Sequence, residues 1–262
     1  MNILKDTIIK LVNDFEIKST NESGQNFLVD EELLEKEVEN ATLKETDVVL
    51  DIGAGFGSIE TRVRRICKII AIEKEIKCYS YLVDKYEIDN NVQVINADAL
   101  DMIYPRFTKV ISNPPYNITD RIIEKLSHYD FESGVMILPK TIADELIAED
   151  PKTVFSAFQK VFMDFSKITD VPKYAFYPEP RVTSTMVNIK RRPHEILQGI
   201  FKRREMTFKN AVSNSFTEVK TSTKKQSKEF FSSFPVELKV MENKPVKTLS
   251  LEDVKKIIAY FK

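Results

Sequence analysis

The sequence predicts an α/β fold, a Rossmann-like, doubly wound, seven-stranded mixed sheet, with a small helical domain at its C-terminal end. Three observations lead there. Short β-branched apolar runs alternate with helical stretches as far as residue 189. A glycine-rich turn, Asp51-Ile52-Gly53-Ala54-Gly55-Phe56-Gly57, follows the first of those runs. Beyond Arg192-Pro193 the alternation stops and helical periodicity alone remains.

Leu4, Ile8, Leu11, Val12 and Phe15 recur at helical spacing, which predicts an amphipathic N-terminal helix over residues 1–18. A polar break, Ser19 to Gly24, comes next. Gln25-Asn26-Phe27-Leu28-Val29 then leads into a charged helix from about Glu31 to Asn40, with Asp30 as its N-cap. Strands are expected at 48–52, 68–72, 92–95, 109–112, 135–138, 161–168 and 183–189. No helix separates the last two, only a Pro-rich link, so an antiparallel hairpin at one edge is expected. The helical domain reads as a helix from Glu195 to Phe216, a Lys/Ser-rich segment near 220–227, and a helix from Leu251 to Phe261 capped by Ser250. The expected domains are therefore 1–190 and 191–262.

A formal charge of −1 over 262 residues hides an asymmetry. Residues 190–262 carry 17 Lys/Arg against 8 Asp/Glu, and the rest carries 22 against 32. A basic appendage on an acidic body suits a partner that is polyanionic at one place, such as a nucleic acid held by its backbone. Cys67 and Cys78 form no Cys-x-x-Cys pair and only two His occur, so neither a disulfide framework nor a zinc site is indicated; no metal is expected. No apolar run reaches the length of a membrane span and the first residues lack a signal-peptide pattern, so a cytoplasmic protein is expected.

Ligands of open α/β sheets bind outside the carboxyl ends of the strands, at the switch point. Gly53, Gly55 and Gly57 stand there, ahead of a helix N-terminus. Their Gly-x-Gly-x-Gly spacing is neither the dinucleotide fingerprint nor a Walker loop, which argues against NAD and ATP. Glu73, ending the second strand, is suited to accept from two ribose hydroxyls, and Asp98, just after the third, from an adenine amino group. The set fits S-adenosylmethionine.

The tetrapeptide Asn113-Pro114-Pro115-Tyr116 closes the run Lys109–Ser112. Methyl transfer to a conjugated amine such as adenine N6 needs acceptors for both N–H hydrogens, because the lone pair is delocalised into the ring. The Asn113 side-chain oxygen and the Pro114 carbonyl can serve, and Tyr116 offers an extruded base a face to stack on. His128 and His194 stand apart from the motifs, and no general base is needed.

On these residues the chain resembles the ribosomal RNA adenine N6,N6-dimethyltransferases of the KsgA and Erm type, in their archaeal form. Gly24-Gln25-Asn26-Phe27-Leu28 resembles that family's N-terminal signature, and Asn113-Pro114-Pro115-Tyr116-Asn117-Ile118 is similar to its Asn-Leu-Pro-Tyr-Asn-Ile motif. Phe176 to Ser184 resembles its Phe-x-Pro-x-Pro-x-Val-x-Ser segment, and Phe201 to Asn210 its basic C-terminal helix. The resemblance implies a methyltransferase fold and dimethylation of two adjacent adenosines near the 3′ end of small-subunit rRNA, within an assembling ribosomal particle, by a monomer. It implies cofactor contacts at Asn26, Leu28, Gly53, Glu73, Asp98 and Asn113, with Gln25 and Gly55 in the same site. Asn113, Pro114 and Tyr116 would carry the chemistry, and Phe176 would close the substrate pocket. Arg191, Arg192, Lys202, Arg203, Arg204 and Lys209 are candidates for phosphate contacts.

Departures from the family pattern keep other readings open. Asn21-Glu22-Ser23 stands where Lys or Arg is usual, Pro114 replaces an apolar residue, and a Tyr-Gly-x-Leu-Ser stretch is missing near Asp150–Phe155. The alternatives are the same chemistry on DNA adenine or a protein glutamine, and a ribosome-assembly RNA-binding factor with little methylation activity.

Overall fold

Continuous apolar runs become strands, and the central ones, at 48–52, 68–73, 109–112 and 133–139, are buried on both faces, as strands flanked by helices require. The computed structural model describes residues 3–17 and 25–261; Gly24, the 21–23 segment and the polar break around them lie outside the described residues. In chain order the elements are α1 Ile3–Asp14, β1 Phe27–Leu28, α2 Glu31–Asn40, β2 Val48–Ile52, α3 Ser58–Val63, β3 Lys68–Glu73, α4 Ile76–Lys85 and β4 Val92–Asn96. There follow β5 Lys109–Ser112, α5 Thr119–Leu126, β6 Ser133–Pro139, α6 Lys140–Ile147, α7 Val154–Phe162, β7 Met163–Val171, β8 Phe176–Tyr177 and β9 Ser184–Arg191. The helices α8 Glu195–Lys202, α9 Phe208–Lys220, α10 Lys224–Ser232, α11 Val236–Lys239 and α12 Leu251–Phe261 complete the chain. As expected, Asp30 caps α2, its side chain accepting from Leu33 N at 3.1 Å.

Seven strands form one sheet in the order β4-β3-β2-β5-β6-β9-β7. The pairs β3/β4, β2/β3, β2/β5 and β5/β6 are parallel, and β9 runs antiparallel to β6 from Ser133↔Lys190 to Pro139↔Ser184. The last two strands of the sheet are neighbours at one edge, as expected, with β7 outermost and β9 between it and β6. Strand order reverses at β2, with β3 on one side and β5 on the other, so the glycine turn and the Asn113 motif leave neighbouring carboxyl ends. β1 and β8 form a separate antiparallel ladder, Phe27↔Tyr177 and Leu28↔Phe176.

Two stretches depart from expectation. Residues 154–162 are helix, and the strand expected from Val161 begins at Met163. Thr153 and Ser156 cap that helix reciprocally, and Phe158, Val161 and Phe162 fall on one buried face. The helix expected from Glu195 to Phe216 is broken into α8 and α9, so the segment from Phe201 to Asn210 is not one basic helix. Its backbone is claimed by a distant stretch that makes a single bridge at Pro245 and then a 3₁₀ turn: Phe208 N donates to Lys244 O at 2.8 Å, Val246 N to Met206 O at 2.9 Å and Lys247 N to Arg204 O at 3.0 Å.

The chain divides into two compact units, 1–147 with 165–191, and 148–164 with 192–262. The second thus includes α7, which lies well inside the expected first domain. Phe158 of α7 meets Phe201 of α8 edge-on at 5.8 Å, and Lys255 Nζ of α12 pairs with Asp150 at 2.6 Å. The first unit is built on the sheet; α1 buries Ile8 and Val12 in an apolar cluster with Val29, Phe56 and Cys78.

Candidate active site

The glycine turn is shaped by left-handed backbone: φ is +85° at Gly53, +57° at Gly55 and +77° at Gly57. A Cβ on Gly53 would stand 3.0 Å from Pro115 Cδ, so the turn also needs glycine to lie against the Asn113 motif. Gly53 N donates to Ile72 O at 2.8 Å, which ties the turn to the end of β3. Glu73, the next residue, is buried and accepts from Gly55 N at 2.8 Å and Glu75 N at 2.7 Å, one bond to each carboxylate oxygen. Burial pushes its carboxyl above the usual range, against the pull of those N–H groups.

Ser112 braces the two strand ends. Its hydroxyl accepts from Ile52 N at 3.2 Å and donates to Ile52 O at 2.9 Å, so the residues before Gly53 and before Asn113 are linked through one side chain. Asn113 Nδ2 donates to Asn26 O at 3.3 Å, while its Oδ1 is buried without a partner. Tyr116 opens a 3₁₀ turn, Tyr116–Ile118, that runs into α5. Its hydroxyl lies 2.5 Å from Ser184 Oγ on β9, and its ring meets Phe176 edge-on at 6.2 Å. Burial raises the Tyr116 phenol.

A cavity of about 390 Å³ joins these parts. Gln25, Asn26, Gly53, Gly55, Glu73, Asp98, Asn113, Pro114 and Tyr116 all line it, from five separate stretches of chain. Leu28 and Phe176 do not. They pair with each other, and Phe176, buried behind Tyr116, backs that ring instead of closing the cavity itself. Leu28 lines a smaller cavity of about 40 Å³, together with Glu37 and Asp51.

Asp98 is held from both sides. Lys74 Nζ donates to Oδ2 at 2.9 Å and Leu100 N to Oδ1 at 2.8 Å, and the Lys74 bond holds its carboxyl below the usual range. Behind it, Lys125 of α5 donates to the carbonyls of Ala99 at 2.7 Å, Leu100 at 2.9 Å and Met102, and lies 4.5 Å from the Tyr104 ring centroid. Neither Ser112 nor Lys125 belongs to a sequence motif; their partners lie about sixty and twenty-five residues away, and sequence carries no signal of them.

The six basic residues expected at phosphates behave differently. Arg191, in the first unit, turns inward: its side chain is 11% exposed, donates to Ser127 O at 3.0 Å and faces Asp130 at 3.8 Å. In the second unit Arg192 donates to Asp164 at 2.7 Å, Arg203 to Gly199 O at 2.8 Å and to Glu218, and Lys209 to Glu242 at 3.1 Å. Arg204 lies over Phe158 at 5.4 Å, and Lys202 is exposed. Most of that group is thus engaged within the fold, because each side chain reaches an acid, a carbonyl or a ring that the sequence places far away. Lys220, Lys224, Lys225 and Lys228, on α9 and α10, are exposed and stand outside every motif of the sequence.

The sequence profile of the family described as "Ribosomal RNA adenine dimethylase" matches residues 17–262. The chain is 30% identical over 266 residues to the "Probable ribosomal RNA small subunit methyltransferase A" of Thermococcus sibiricus, covering 95% of this chain and 94% of that one. A protein of the same name from Methanosarcina acetivorans is 32% identical over 225 residues, with 80% and 83% covered. Among solved structures, a dimethyladenosine transferase from Plasmodium falciparum shares the fold with a TM-score of 0.62 at 24% identity, over 90% of this chain and 97% of that one. The 23S rRNA methyltransferase ErmE shares it at 0.61 and 17%, over 90% and 99%. With the family profile matching nearly its whole length, the chain belongs to the ribosomal RNA adenine dimethylase family.

Proposed function

We propose that this protein transfers methyl groups from S-adenosylmethionine to N6 of adjacent adenosines near the 3′ end of small-subunit ribosomal RNA. It would act as a monomer on an assembling particle in the cytoplasm. One observation carries the reading: Asn113 Oδ1 is a buried acceptor without a donor, in the wall of the cavity that also holds Glu73. The relatives' names and the family membership support the substrate. Among the described residues no helix is long and apolar enough to cross a membrane.

The residues present fit the cofactor. A cavity of about 390 Å³ suits a nucleoside with its side arm. The glycine turn lets the backbone approach closely, and each Glu73 oxygen, after accepting one N–H, keeps a lone pair for a ribose hydroxyl. Asp98 also lines the cavity and is suited to the adenine amino group. When bound, S-adenosylmethionine supplies an electrophilic methyl on a cationic sulfur.

The chain's own part is orientation. Asn113 donates its N–H to Asn26 O, which directs Oδ1 to accept from the target amine; the Pro114 carbonyl is the second acceptor. Tyr116, held by Ser184 and backed by Phe176, gives the extruded base a fixed face. Bringing both ligands to adjacent strand ends supplies most of the acceleration. The methylated amine is conjugated with the ring and strongly acidic, so its proton goes to water or to the Pro114 carbonyl.

Mass spectrometry of the small-subunit rRNA 3′ end from cells lacking the protein tests the reading: loss of dimethyladenosine is expected, and unchanged modification would favour an assembly factor. Asn113→Ala should lower transfer at least about a hundredfold, the scale of losing an oriented acceptor in a transition state, with cofactor affinity changed less than about threefold. Wild-type turnover in that variant would remove Asn113 from the chemistry.

A further inference from the structure

Three carboxyls, Glu37 on α2, Asp51 on β2 and Glu60 on α3, are 0%, 1% and 0% exposed. Glu60 adjoins Asp51 and opposes its ionisation, and Asp51 Oδ1 and both Glu60 oxygens are buried without a donor. Both oxygens of Glu37 are without a partner, and Glu37 faces the cavity of about 40 Å³ beside Asp51. Asn26, Phe27, Gly53, Gly55 and Asn113 line both that cavity and the larger one, so Glu37 and Asp51 lie directly behind the wall of the proposed cofactor site.

Among the described residues, the charged and titratable groups that act on the cluster are few. Glu73 on β3 adds a fourth carboxyl, Lys85 at the end of α4 faces Glu60, and the phenols of Tyr86 and Tyr116 are both raised by burial. Lys85 is itself half-committed, donating to Phe56 O at 3.1 Å, and burial lowers it. One cation cannot balance four buried carboxyls. Burial therefore pushes Glu37 up to about 8 and Glu60 up to about 7, so the cluster holds protons near neutrality.

We propose that Glu37, Asp51 and Glu60 form one proton-sharing cluster that reads the charge of the ligand in the adjoining cavity. Binding of the sulfonium cofactor expels a proton from the cluster to solvent, and binding of its thioether product does not. The inference rests on the cavity being the S-adenosylmethionine site. The two ligands have nearly the same shape and differ by one positive charge at sulfur. A cation beside the cluster favours its ionised form, and by linkage the ionised form holds the cation more tightly. Once the methyl has left, the cluster takes its proton back and the neutral product is held less well. Glu37, Asp51 and Glu60 touch neither reacting atom; they set the preference for charged cofactor over product.

Isothermal titration calorimetry on the full chain tests this, with S-adenosylmethionine and S-adenosylhomocysteine from pH 6 to 9, in buffers of different ionisation heat. Wild type, Glu37→Gln and Glu60→Gln are compared, so that titration of each ligand's own amine, common to all three proteins, cancels. In wild type the affinity ratio of cofactor to product should rise about fivefold more between pH 6 and 9 than in Glu37→Gln, with extra proton release on cofactor binding. Glu60→Gln should flatten the same curve, and it carries the comparison if Glu37→Gln does not fold. If both ligands bind and the curves of wild type and variants coincide, the charge-reading role is overturned while the cofactor site stands. If neither ligand binds, the reading of the cavity falls, and this inference with it.

Discussion

A phenol tied to a serine hydroxyl at 2.5 Å keeps its ring in one plane, and that constraint makes Tyr116 a stacking surface rather than a mobile side chain. Ser184→Ala removes the tie, worth about 1 kcal/mol, and should raise the KM for RNA about fivefold with cofactor affinity unchanged. Steady-state kinetics with each substrate varied in turn measures it; an equal fall in kcat would mean that the hydroxyl acts elsewhere. Lys125 works on the turn behind Asp98. Its ammonium gathers three carbonyls of the turn that follows Asp98, so Lys125→Met should weaken cofactor binding about tenfold, or about 1.4 kcal/mol, while kcat at saturating cofactor holds. Equilibrium binding of S-adenosylhomocysteine reads it directly. Asn113, Glu73 and Tyr116 were legible in the sequence because the chemistry needs their functional groups beside a strand end. Ser112 and Lys125 were not, because their whole contribution is a contact across the fold.

At the scale of elements, the strands read most faithfully: β2 and β5 begin and end where β-branched runs do, since a strand buried on both faces leaves little choice of residue. Helices read less well where a distant backbone competes. The break between α8 and α9 comes from pairing with residues 244–247, and nothing local in Phe201–Asn210 announces it. The same region shows why a basic composition is a poor guide to which cation meets RNA, since Arg191, Arg203 and Lys209 are already bonded within the fold. α10 offers a better candidate. Lys224 and Lys225 stand in its first turn, where the helix dipole disfavours cations, and with Lys228 they are exposed. Replacing all three with Gln should leave thermal stability equal or slightly higher. It should also weaken RNA binding and lower the slope of log affinity against log salt by about two to three. An unchanged salt slope in filter binding would exclude this helix from the RNA contact.

Across the whole molecule, buried carboxyls make stability depend on pH. Glu37, raised to about 8, and Glu60, raised to about 7, are protonated in the folded chain and ionised in the unfolded one over the window between their ordinary value of 4.5 and those raised values. The folded state binds more protons there, so their stabilisation is full below about pH 4.5 and is lost as pH rises through 7 to 8. Asp98 and Asp170, held low by Lys74 and Lys167, work in the opposite sense and lose their contribution as pH falls through their depressed values. Denaturant unfolding should therefore be hardest near pH 5 and easier at pH 8 by a few kcal/mol, because each tenfold difference in proton affinity between folded and unfolded chain is worth on the order of 1.4 kcal/mol. Glu37→Gln should reduce that decline; an equal decline in the variant would mean that the carboxyl is solvated.

The sequence by itself determined the alternation of strands and helices, the glycine turn and the types of functional group at the strand ends, because period, backbone freedom and reactivity are properties of short stretches. Only the tertiary structure decided which of them share a cavity, that α7 joins the second unit, that Phe176 backs Tyr116 and that three acids meet behind the glycine turn. Those outcomes depend on contacts between residues tens of positions apart, where burial and competition for partners, not local preference, fix what each side chain does.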